Sequence, residues 1–441
     1  MKTYAICGLS GRAFNMFIEP LVGKYGEEHR IAALLDSDPL REKVCKDRFP
    51  ALRPVPFFEE KAFTEMLDKI KPDAIIVAGR DDTHVRYILG ALRADIDVVT
   101  EKPMVTTARD AAAVLKAEAA SKGKVTVTFN YRCNPYHRKI KELILEGKLG
   151  TITSVDLNWY IDTYHGASYF KRWNRMRAYS GGLSVHKSTH HFDLVNWWLD
   201  QTPSEVFAYG GLYYYGPGGE MNPEKGEKRY CGTCHVKKKC RYYMRWQAGD
   251  PQDDHVKTNE SQHLLYTDYR PDACIFDEEI DIEDTYAAVL KYDKGALLNY
   301  SVHFSAPYEG YRLAINGTKG RLETQEYHAP ARVPFEVPEQ TIDYYPLFES
   351  KETIRVVRQP GGHGGGDPLL LEELFGGGDP LRNYDILAGA EAGAYSIAAG
   401  EALWRSIKEK KPIGISELLY TGNIHKGGGN SWNKVSPWEG C

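Results

Sequence analysis

The first third of the chain alternates between two hydrophobic periods. Residues 4–7 (YAIC) are a short apolar run, and Phe14, Phe17, Ile18 and Leu21 follow at helical spacing. Residues 31–35 (IAALL) form a second apolar run. Residues 39–49 and 59–70 then read as helices, 74–78 as a third strand, 84–94 as a helix, and 98–100 as a fourth strand. A helix over 108–122 and a strand over 125–130 close the series. Short apolar strands separated by helices at this spacing predict a doubly wound parallel sheet of the Rossmann kind.

At 441 residues the chain is too long for one ordinary core. Two domains are expected, or three, with a division after residue 131 and a substrate-binding and oligomerisation domain over 132–441. Hydrophobic residues make up 42% and charged residues 26%, as in a globular protein; the net charge of −4 gives no reason to expect nucleic acid or membrane as a partner. No apolar run approaches the roughly 20 residues that span a bilayer. The opening MKTYAICG reads as a first strand, not a secretory signal, so a cytoplasmic location is expected. The 29 tyrosines and 8 tryptophans serve either as core and interface or as stacking platforms for sugar rings.

The first apolar run leads into GLSGRA, residues 8–13. Strand, glycine-rich turn and helix are the setting of a phosphate-binding fingerprint. Gly8 and Gly11 fit it, whereas Ser10 and Ala13 stand where further glycines are usual; Arg12 lies between them. Asp36 ends the second strand, where a carboxylate accepts hydrogen bonds from an adenosine ribose and favours NAD. Asp38 competes for that role, and Arg12 or Arg41 taking a 2′-phosphate would select NADP instead. Glu101-Lys102-Pro103 follows the fourth strand, at the carboxyl edge where open α/β sheets bind ligands. There Lys102 points toward the nicotinamide end.

These stretches resemble the Gfo/Idh/MocA oxidoreductase family, above all VVTEKPM (98–104), with GLSGRA, the Asp36 strand end and RDDTHVRYILGAL (80–92). FNYRCNPYHRKIKELILEGKLGTI (129–152) is similar to the family's crossover into its second domain, and INGTKGRLE (315–323) and KKPIGISEL (410–418) resemble later landmarks. The resemblance implies an α+β C-terminal domain with an open, mostly antiparallel sheet. Strand candidates lie at 153–160, 205–215, 285–292, 296–304 and 311–316. The free face of such a sheet implies a homodimer or homotetramer. His84 and Glu101 join the expected cofactor contacts, and Tyr131 the substrate contacts.

GGLSVHKSTHHFD, residues 181–193, carries the densest chemistry. The family pattern here is a glycine pair, three residues, Asp, three residues, His, two residues, Asp. His190 matches the catalytic histidine, while His186 replaces the aspartate. In a continuous helix His186 and His190, four apart, share a face, and Asp193 lies close to it. Three readings stay open. His186, His190 and Asp193 are a metal-ligand set, or a structural helix, or an acid/base site in which His190 takes a hydroxyl proton, Lys102 steadies alkoxide charge and His186 shares a proton with His190. The third is the expectation. Lys187 and Asp193 are counted with the substrate groups.

YHGASYFKRWNR, residues 164–175, reads as a loop over the pocket, with Tyr164, His165, Tyr169, Arg172 and Trp173 for a polyhydroxylated substrate, or as a plain surface loop. HGGGD, residues 363–367, is expected to bring His363 to the same place. Cys231, Cys234, Cys240 and Cys274 sit in a long charged insert near 216–275 with zinc-knuckle spacing. A structural zinc is expected, with His235 in reserve and free thiols or a disulfide as alternatives. Cys7, Cys45, Cys133 and Cys441 are scattered.

The expected activity is hydride transfer between a secondary alcohol of a sugar or glycoside and NAD. Two alternatives remain: an NAD-retaining enzyme that cleaves or eliminates a glycosidic bond through transient oxidation, and an NAD-binding sensor without turnover.

Overall fold

The computed structural model describes residues 1–226, 229–243, 266–357 and 359–420. Cys441 lies outside the described residues.

Strands β1 (Lys2–Cys7), β2 (His29–Asp36), β3 (Phe57–Glu59), β4 (Ala74–Val77), β5 (Asp97–Thr100) and β6 (Val125–Val127) pair in parallel in the order β6-β5-β4-β1-β2-β3. β1 and β4 are buried almost throughout, as a sheet covered by helices on both faces requires. β3 is absent from the hydrophobic pattern because it spans only Phe57–Glu59.

The second sheet contains β7 (Ile152–Asp162), β8 (Pro203–Gly211), β9 (Thr285–Tyr292), β10 (Leu297–Ala306), β11 (Glu309–Gly317), β12 (Gly320–His328), β13 (Thr341–Pro346) and β14 (Glu352–Arg355). After β15 (Ala388–Gly389) comes its last member, β16 (Ile413–Gly414). The order is β14-β13-β12-β11-β7-β10-β9-β8-β16, and only the β7–β10 pair is parallel. β9 and β10 alternate buried and exposed positions, so one face is packed and the other open. The packed face carries the helices Thr163–Lys171, Thr189–Leu199 and Ala390–Glu409. β12 escapes the apolar pattern because Thr324 and Glu326 occupy inward positions.

The two sheets do not divide the chain cleanly at residue 131. β15 returns from the C-terminal half and pairs antiparallel with β6, adding a seventh strand to the first sheet. The helix Ala390–Glu409 then packs on the first domain's Ala108–Ala119 and accepts further contact from β8. Gly181, at φ +71°, is another close approach: a Cβ there would lie 2.6 Å from the carbonyl oxygen of Thr106. Among the described residues no helix is long and apolar enough to cross a membrane.

Candidate active site

The turn after β1 is shaped for close approach. Gly8 has φ +95°, and a Cβ on it would sit 2.4 Å from the backbone of Gly79 beyond β4. The Ser10 hydroxyl donates to the Ala78 carbonyl at 2.6 Å and accepts from the Ala13 amide at 3.1 Å, capping the helical run that starts at Gly11. A Cβ on Gly11 would meet nothing within 4 Å, so the space before this helix start is open. Open space at a helix N-terminus, with a carboxylate at the end of β2, fits a dinucleotide. That carboxylate, Asp36, accepts from the amides of Leu9 at 2.6 Å and Asp38 at 2.9 Å.

Three expected cofactor groups are engaged elsewhere. Arg12 bonds Glu101 at 2.9 Å and both oxygens of Asp367 at 3.1 Å, so its guanidinium ties the first turn to the second domain and is not free for a phosphate. Arg41 is buried on the Leu9 carbonyl at 2.9 and 2.6 Å. His84 is fully buried between the carbonyls of Pro103 and Gly79, at 3.0 and 3.3 Å, and braces the loop that carries Lys102.

The Lys102-Pro103 peptide bond is cis. Lys102 Nζ donates to the His186 carbonyl at 3.1 Å. His186 does not pair with His190. Its Nδ1 lies 2.5 Å from Asp81 Oδ2, Asn174 Nδ2 is 3.2 Å from its Nε2, and the rings of Tyr169 and Trp173 meet it edge-on at 5.5 and 5.7 Å. Burial raises the Asp81 carboxyl and lowers the His186 imidazole, pushing each toward its neutral form.

The reason is a break in the helix. Leu183–His186 ends in a turn at Lys187 and Ser188 before Thr189–Leu199 begins. The Ser188 hydroxyl donates back to the Leu183 carbonyl and accepts from Tyr300, offering the backbone an alternative to continuous helix. The four-residue spacing therefore does not place His186 and His190 on one helical face. The break also turns Lys187 inward, where its Nζ lies 5.5 Å from the Tyr131 ring centre.

His190 is 1% exposed and packs against Tyr131 at 4.7 Å, Phe129 at 6.0 Å and His363 at 5.9 Å. It makes no side-chain hydrogen bond among the described residues, and Nδ1 is the sealed ring atom. Burial, with Lys102 and Lys187 adding to it, holds its pKa well below the usual histidine value. His363 reaches this place as expected, held by Asp367 at 3.0 Å and packed on Tyr131 at 5.2 Å. Asp193 does not: it forms a buried pair with Arg132 at 2.6 and 2.8 Å and faces away from the histidines.

Residues 164–175 are mostly not a loop. Asp162 accepts from the amides of Tyr164 and His165 at 2.8 Å and starts the helix Thr163–Lys171. His165 lies between Glu309 and the Tyr169 hydroxyl, 2.8 Å from each, and Tyr169 in turn packs on His186. Arg172 donates to the Ser168 carbonyl, and Tyr164 stacks under Arg332. Tyr169, Trp173 and Arg172 thus border His186, whereas Tyr164 and His165 support them from behind.

Cys231, Cys234, Cys240 and Cys274 line one small depression with Arg229, Tyr230 and Lys237, and all are free thiols. Among the described residues no group of three or more His, Cys, Asp or Glu side chains is arranged to hold a metal. Neither the expected zinc nor the metal reading of His186, His190 and Asp193 finds support.

Residues 2–129 match the model of an oxidoreductase family's NAD-binding Rossmann fold, and residues 141–415 match the same family's C-terminal alpha/beta domain. The chain belongs to the Gfo/Idh/MocA oxidoreductase family. Within it, YteT of Bacillus subtilis (strain 168), named as an oxidoreductase, is 67% identical over 429 residues, covering 96% of this chain and 100% of YteT. The inositol 2-dehydrogenase of Rhizobium meliloti (strain 1021) is 27% identical over 190 residues, 42% of this chain and 55% of that enzyme. The fold is shared with the aldose-aldose oxidoreductase of Caulobacter crescentus, at TM-score 0.59 and 18% identity, covering 94% of this chain and 99% of that one.

Against the family pattern, Asp81 is the residue that sequence reasoning passed over. It supplies a carboxylate to His186, and it stands just past the end of β4, on the sheet edge where ligand-facing groups collect. That position was the available signal. Glu309 and Asn174 had none, because their roles depend on contacts between distant strands and turns.

Proposed function

We propose that this protein is an NAD-dependent dehydrogenase that moves hydride between a secondary alcohol carbon of a sugar or glycoside and nicotinamide. The observation that carries the reading is the meeting of Lys102, from the end of β5, with the turn that leads into His190. Nicotinamide, when bound, supplies the hydride acceptor. His190 is held neutral and takes the hydroxyl proton as hydride departs. Lys102 donates to the same oxygen and steadies the developing alkoxide. His186, bonded to Asp81, fixes Lys102 through its carbonyl and is a positioning residue. Asp36 ends β2 with a carboxylate, while Arg12 and Arg41 are spent on other partners; both facts favour NAD over NADP.

The test is NADH formation from a panel of sugars and glycosides with NAD added. Stoichiometric NADH supports the proposal, and glycoside cleavage without net NADH replaces it with the NAD-retaining alternative. The pH profile of the same assay follows from the histidine. Protonating His190 removes the base, so kcat/KM falls on the acid side. Because burial lowers its pKa, this acid limb should lie well below pH 6.5. A limb centred at or above that value would assign it to another group.

We propose further that the open face of the second sheet joins copies of the chain. It is a broad depression of about 850 Å³ lined by Tyr209, Val289, Arg312 and Gln325. Tyr209 is 69% exposed there. Light scattering should give a dimer or tetramer, and Tyr209→Asp should shift it toward monomer; an unchanged size assigns assembly to another surface.

A further inference from the structure

We infer that Lys187 is an anion-recognition residue, and that the sugar oxidised here carries a carboxylate, as a uronic acid does. The inference deepens the proposed dehydrogenase reading and rests on it for the identity of the site.

Charged side chains crowd around His190. Lys187 is 3% exposed, yet forms no hydrogen bond or ion pair among the described residues. A buried ammonium without a counter-charge is costly. The nearby carboxylates are all engaged: Asp81 by His186, Asp367 by Arg12 and His363, and Glu101 by Arg12. Glu309, the carboxylate that acts on Lys187 through space, is already bonded to His165 at 2.8 Å. Lys102 acts with Lys187 on His190 and is assigned to the reacting oxygen. Two lysines therefore converge where the chemistry needs one. Arg172 adds a third positive group acting on His186.

A neutral sugar would leave Lys187 as it stands. A carboxylate would satisfy it with a charge-assisted hydrogen bond. The geometry that delivers Lys187 is the turn between Leu183–His186 and Thr189–Leu199, so the feature that separates His186 from His190 also builds the anion contact.

The experiment measures binding, independent of turnover. NAD-saturated protein is titrated with D-galacturonate against D-galactose, and D-glucuronate against D-glucose, by thermal shift and calorimetry. Wild type is compared with Lys187→Met and Lys187→Arg, with NAD affinity as the check on folding. At least one uronate should bind roughly tenfold or more tightly than its neutral counterpart, as a hydrogen bond to a charged group allows. Lys187→Met should bring that ratio near one, and Lys187→Arg should retain part of it. Equal binding, a preference for neutral sugars, no binding of either, or a preference that survives Lys187→Met each overturns the inference. A uronate preference that is lost in Lys187→Met, with no NADH from any sugar, would instead leave Lys187 assigned and remove the dehydrogenase reading.

Discussion

Replacing His190 by asparagine should lower kcat by about 10²- to 10⁴-fold, the range in which a positioned general base contributes. Asparagine keeps a polar group in the space but takes no proton at neutral pH. NAD affinity should be unaltered, because His190 packs against Tyr131, Phe129 and His363 and touches none of the glycine-turn residues. The acid limb of kcat/KM should vanish together with the rate. Steady-state kinetics with NAD in excess checks both effects. A loss smaller than tenfold would falsify the assignment and move the base to His186 or Lys102. Lys102→Met makes the complementary case: it should lower kcat and raise the pKa of His190, since Lys102 is the charge that most depresses it after burial itself.

The largest effect on stability is expected at Arg132 and Asp193. The pair is buried, with side chains 7% and 1% exposed, and joins the crossover turn Asn130–Cys133 to the helix that carries His190. Removing one partner strands the other's charge and should cost about 3–5 kcal/mol. Burial outweighs Arg132 in setting the Asp193 carboxyl, which is held above its ordinary value. Keeping that carboxylate ionised therefore consumes stability as pH rises through its folded pKa. It follows that Arg132→Met with Asp193→Leu should be about as stable as the wild type, while each single variant is much weaker. Urea unfolding of the four proteins gives the comparison. Single variants that lose less than about 1 kcal/mol would show the pair to be no stronger than a surface contact.

The parallel sheet was legible from the amino-acid pattern because its strands are buried on both faces and read as plain apolar runs. The places of Asp36 and Lys102 in the fold were legible for a related reason: each stands at the end of an apolar strand. The helix break at Lys187 and Ser188 was not. It depends on Tyr300 bonding the Ser188 hydroxyl from a strand more than a hundred residues later, and every inference from four-residue spacing failed with it. The partners of His186 and Asp193 were hidden in the same way. Asp81 is brought to His186 by the packing of one domain against the other, and Arg132 to Asp193 by the crossover turn between the domains. Residues 164–175 misled by composition, since aromatic and basic residues suggest an exposed loop unless the Asp162 cap is weighed.

The strand Ala388–Gly389 has a consequence for how the molecule is divided. It covers the hydrogen-bonding edge of Val125–Val127, so a fragment ending near residue 131 would carry a bare strand edge open to pairing with its own copies. The nucleotide half is thus sealed by a strand that follows nearly all of the second sheet, and its final strand order is set only once that strand has been synthesised.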